Sequence, residues 1–105
     1  MNKITLGLSL LIFLFVTTLN ADVNKGQRYF TKKLKNVCEL TGAEFSELHT
    51  QAQWKEIHDK ENGLASEIKR ICPAVKDRAL KEKYIQHYFD FFYEYGNDSG
   101  NIPAC

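Results

Sequence analysis

Apolar residues recur along the chain at intervals of three and four, the spacing of one face of an α-helix. From Asn24 to Val37 the residues Phe30, Leu34, Val37 and Cys38 fall at i, i+4, i+7 and i+8, opposite Lys32, Lys33 and Lys35. That pattern predicts an amphipathic helix, broken by the stretch Glu39–Gly42. Thr50 followed by Gln53 is a capping-box pattern, in which hydroxyl and side-chain amide each satisfy an orphan backbone N–H. Trp54, Ile57 and Glu61 share the face below it, and Gly63 is the expected stop because glycine takes the left-handed conformation of helix ends. A third helix over Leu64–Cys72 gathers Leu64, Ile68, Ile71 and Cys72, and Pro73, lacking an amide hydrogen, ends it. After a linker at Ala74–Asp77 the longest element is expected over Arg78–Tyr95. Its stripe is Leu80, Tyr84, Tyr88, Phe91 and Tyr95, widened by Ile85, Phe89 and Phe92. No alternating β-branched run bounded by turns occurs, so the expected class is all-α, a small bundle of about four helices.

The first residues follow a different pattern. Lys3 precedes an unbroken apolar run from Leu6 to Val16, then small and polar residues up to Ala21. This is the layout of a signal peptide, too short for a bilayer span of roughly 20 residues. Residues 1–21 are therefore expected to be removed, and residues 22–105 to form a single helical domain, periplasmic or secreted, with a tail from about residue 96. A domain of that size hides only about 60% of the surface its unfolded chain exposes, which is marginal without a staple. The chain carries a net charge of +1, and loss of Lys3 would leave as many basic as acidic side chains. No global field then draws in nucleic acid, and no membrane association is expected after cleavage. The basic run Lys32–Lys35 reads as a solvated helix face.

Export changes what thiols do. The three cysteines, Cys38, Cys72 and Cys105, allow one internal disulfide in three pairings, with reduced and buried thiols as the alternative. Cys105 ends a tail with few apolar residues, which would fray unless tied to the body. The expected bond is therefore Cys105 to Cys38, closing a large loop and stabilising the fold by about 2–4 kcal/mol.

The aromatic stretch Tyr84–Tyr95 suits a core more than a base-stacking platform, since each ring contributes a large buried area; Tyr84, Tyr88, Tyr93 and Tyr95 are expected at its wet rim. Phosphate loop, His-Glu-x-x-His helix and nucleophile elbow are all absent from the sequence. His49, His58 and His87 lie in separate segments without metal-site spacing, and a Cys38–His49 nucleophile pair competes with disulfide use. No catalytic residue and no metal site is expected.

The stretch "NKGQRYFTKKL" at Asn24–Leu34 and "YIQHYFDFFYEYG" in the last helix resemble small exported class I cytochromes c of ε-proteobacterial type. In that family a Lys-Gly and an aromatic pair open an N-terminal helix that packs against an aromatic-rich C-terminal one. "HTQAQW", "GLASEIKRICP" and "DSGNIPAC" are similar to its middle and tail. The resemblance implies a cytochrome c-like bundle and, in the family, electron transfer. It also exposes a departure, because the Cys-x-x-Cys-His motif that attaches haem is missing. Counted from Gly26 as in the family, Leu34 and Val37 stand where the two cysteines belong and Cys38 where the histidine belongs. Met1, the only methionine, would leave with the leader. The expectation is a non-enzymatic exported protein without a cofactor, a binding or redox-associated accessory protein with an exported protein partner. The alternatives are non-covalent haem on His49 or His58 for electron transfer, or a plain disulfide-stapled interaction module.

Overall fold

The computed structural model describes residues 23–103, which contain α-helices and one 3₁₀ turn and no strand. The all-α class is thus established for the described residues. The elements are α1 (23–33), α2 (Lys35–Cys38), α3 (Gly42–Ser46), α4 (Gln51–Asp59), α5 (Gly63–Ile71), the 3₁₀ turn Asp77–Leu80, and α6 (Glu82–Glu94). The leader expected over residues 1–21 lies outside the described residues.

The helices close around α6. Phe30 of α1, Phe45 of α3, Trp54 of α4 and Tyr88, Phe91 and Phe92 of α6 are all fully buried, together with Leu34, Leu64 and Ile68. The rings interlock: Phe92 stacks on Phe45 and on Trp54 with centroids 4.8 Å apart in both pairs, and Phe30 meets Phe45 edge-on at 5.4 Å. Such contacts add to the area that each ring removes from water. Gly26 sets the approach of α1 to α6, because a Cβ there would run into the His87 carbonyl oxygen and lie 2.9 Å from the Phe91 Cβ. Trp54 satisfies its indole by donating to the Ser46 carbonyl at 2.8 Å.

Several expectations are corrected. The first helix does not run straight to Val37: the chain turns at Leu34, so Val37 leaves the stripe and is 48% exposed. The break belongs to Glu39, which takes the left-handed conformation at φ 58°. Gly42 instead lies in α3, a helix capped by Thr41 and Glu44 in a full capping box. The Thr50–Gln53 box opens α4 as expected. Asn62, at φ 54°, is the left-handed residue after α4, whereas Gly63 starts α5 and is needed there because a Cβ would strike the Ile57 carbonyl. Glu61 is exposed rather than on the Trp54 face. The last helix is divided at Lys81, which is extended at ψ 149°, so Leu80 belongs to the 3₁₀ turn. Tyr88 is not at the rim. It is fully buried and donates its hydroxyl to the Ala79 carbonyl at 2.8 Å.

The disulfide joins Cys38 to Cys72, not Cys38 to Cys105. The ends of α2 and α5 come together with 5.2 Å between the two Cα atoms, within the range a disulfide spans. Cys105 lies outside the described residues. The premise behind the other pairing also fails, since the tail is held without it. Asn97 N–H donates to the His49 carbonyl at 3.0 Å, Gln51 N–H to Asp98 Oδ1 at 2.9 Å, Asn97 Nδ2 to the Glu47 carbonyl at 3.2 Å, and Pro103 is buried.

Candidate binding site

Two groupings of polar side chains stand out. The first surrounds His49, one of the two residues considered as haem ligands. His49 sits between α3 and α4, its ring edge-on to Trp54 at 4.7 Å. Its Nε2–H donates to the Glu67 carboxylate of α5 at 2.7 Å, and Arg70 grips the same carboxylate from one turn further on. The bidentate Arg70 guanidinium, aided by His49 and opposed by partial burial, holds the Glu67 carboxyl down at about 2. His49 thus ties α5 to the loop that carries the C-terminal tail.

His58 occupies the last turn of α4, whereas His49 precedes the Thr50 cap at the opposite end of that helix. Its ring stacks on Phe89 at 4.1 Å, and its Nε2 lies 3.2 Å from Gln86 Oε1. The two histidines are not brought together, and each ring has a protein partner. Leu34, which the resemblance would put at the first attachment cysteine, is fully buried in the core, and Cys38, which it would put at the histidine, is spent in the disulfide. The volume between α3, α4 and α6 is filled ring on ring by Phe45, Trp54 and Phe92. These residues do not fit haem. The disulfide also removes the thiol of the Cys38–His49 pair. Among the described residues, no cluster of His, Cys, Asp and Glu is placed to hold a metal ion. No helix among them is long and apolar enough to cross a membrane.

The second grouping is a groove of about 500 Å³ between α1, α2, the segment after Pro73 and the start of α6. Lys32 and Lys33 come from α1, Lys76 and Arg78 from the segment and the 3₁₀ turn, and Lys81 from the cap of α6; Val37, Ala74, Ala79 and Tyr84 supply the less polar surface. None of the lining residues is acidic. Asp77, next in sequence to two of them, projects into solvent and reaches Lys69 at 3.4 Å instead. Lys33 Nζ lies 4.3 Å from the Tyr84 ring centroid and Lys83 Nζ 5.1 Å. Partial desolvation of Tyr84 favours its neutral phenol, but the Lys83 and Lys33 ammoniums outweigh it and bring the hydroxyl below its ordinary value. The walls are fixed from behind by the Cys38–Cys72 bond, by Lys69 Nζ donating to the Val75 carbonyl at 2.7 Å, and by Tyr88 donating to Ala79.

Sequence reading singled out Lys32–Lys35 but not its partners at Lys76, Arg78 and Lys81. The only signal for them was a second basic run, Lys76–Lys83, more than forty positions away. Comparison of the chain with family models, curated proteins and solved structures finds no match.

Proposed function

We propose that this chain is an exported, non-enzymatic accessory protein, a cytochrome c-like helical bundle without covalently attached haem, that works by binding an exported protein partner. The observation that carries the reading is the crossing of α1 and α6, where Gly26 lets the first helix meet the His87 backbone and Phe30 packs against Phe91 at 5.6 Å. This is the contact that the resemblance of the two end helices implies. Export is supported by the apolar N-terminal run and by a disulfide, which persists in oxidising compartments. Binding rather than catalysis is supported by the engagement of Cys38, His49 and His58 in a bond, a carboxylate pair and a ring stack.

The electron-transfer alternative requires iron on His49 or His58, each of which would have to leave its present partner. An absorption spectrum of protein purified from its own host, followed by haem titration, separates the two readings. The expected result is no Soret band in either case. A Soret band that disappears in His49→Ala or His58→Ala would overturn the haem-free reading.

A further inference from the structure

We propose that the basic groove between α1 and the start of α6 is a binding site for a small multivalent phosphate. Five cationic side chains, Lys32, Lys33, Lys76, Arg78 and Lys81, converge on one concavity from separate chain segments, with no carboxylate among its lining residues. Like charges gathered this way repel one another, and an anion shared between them relieves that repulsion. Lys55, on α4, is by contrast paired with a carboxylate, Asp59 at 3.0 Å.

The size and the charge together select the ligand. A volume of about 500 Å³ is that of a small-molecule site, not a macromolecular interface. The chain as a whole is nearly neutral, so it lacks the extended field that gathers nucleic acid, and the positive potential is local to the groove. An acidic peptide in extended form presents same-face carboxylates about 7 Å apart, which spreads its charge along a line. A compact phosphate chain places three or more negative charges inside the one volume. Arg78 offers the planar fork that phosphate oxygens accept bidentately, while the lysines act as movable point charges around it. The Tyr84 ring, Val37 and Ala79 give an organic substituent a surface to lie on.

Inorganic tripolyphosphate is the probe, titrated calorimetrically into the oxidised mature protein at 0.15 M salt. Saturable binding with a Kd of about 100 μM or tighter is expected, weakened at least tenfold in Arg78→Gln/Lys81→Gln and unchanged in Lys55→Gln. Amide NMR shifts should move at Ala74, Ala79 and Tyr84 and stay fixed at His49 and Glu67, a readout on the wild-type chain that does not depend on any variant folding. No saturable binding at millimolar tripolyphosphate overturns the proposal, as does equal weakening by Lys55→Gln. Binding to polyglutamate or to anionic phospholipid vesicles without a response to tripolyphosphate also overturns it, and leaves the haem-free reading untouched.

Discussion

Removing the Cys38–Cys72 bond tests which cysteines staple the fold. The perturbation is the double variant Cys38→Ala/Cys72→Ala, because Cys38→Ala alone would free Cys72 to pair with Cys105. The bond closes a loop with a sequence separation of 34. The chain-entropy relation then gives a loss of about 4 kcal/mol at 25 °C. Packing adds little at Cys38, which is half-buried, and adds to the loss at Cys72, whose sulfur is buried in the core. A domain of this size holds roughly 4–12 kcal/mol in total, so the loss is a large share of it. At about 4–8 °C per kcal/mol the midpoint should fall by about 15–30 °C. Far-UV circular dichroism during urea and thermal unfolding measures it, with Cys105→Ala alongside, which should cost less than about 1 kcal/mol because hydrogen bonds already hold the tail. The reasoning is refuted if Cys105→Ala costs as much as the double variant, or if the double variant unfolds within about 1 kcal/mol of the wild type.

Two further predictions follow from the packing. The Glu67 carboxyl sits at about 2 in the folded state against an ordinary 4.5, so its stabilising share is complete above pH 4.5 and is lost as pH falls toward 2. Arg70 is largely exposed, which discounts that share to about 1–2 kcal/mol; denaturant unfolding of Glu67→Gln should show this deficit at pH 7 and a difference near zero at pH 2. Gly26→Ala gains up to about 1 kcal/mol in helix propensity but forces α1 off the His87 backbone, so a net loss of about 1–3 kcal/mol is expected. A stability gain in urea unfolding would show that the two helices are not in contact there.

How far the fold was legible depends on the kind of signal. The stripes of α1, α5 and α6 were readable because burial on a helix imposes a period, and Phe30, Leu34, Leu64, Ile68, Tyr88 and Phe91 are all in the core. The Thr50–Gln53 box was readable because capping is local chemistry. The Thr41–Glu44 box has the same form, but in the sequence Gly42 inside it equally signals a turn. The left-handed positions were misplaced for a physical reason. Glycine takes that conformation without cost, yet Gly26 and Gly63 are there for close backbone approach, and the strained positions fell to Glu39 and Asn62. Disulfide pairing was not legible at all, since three cysteines allow three bonds and only the path of the chain chooses one.

The groove escaped sequence reading because it arises from a departure from periodicity. Had α1 run on regularly past Leu34, Val37 would have faced the core. The turn at Leu34 instead brings Val37 into the groove wall and Cys38 beside Cys72. From Cys72 the chain passes Pro73 into Ala74 and Lys76, which form the facing wall, and Lys69 and Tyr88 then fix the carbonyls of Val75 and Ala79. Each end of the staple therefore begins one side of the cationic site. A bond whose energetic effect is to constrain the unfolded chain also sets, in the folded one, the separation of Lys32 and Lys33 from Lys76 and Arg78. That link ties the spacing of the five cationic side chains to the disulfide-bonded protein, and it shows how a chain with a net charge of only +1 can gather basic residues of separate segments on one concavity.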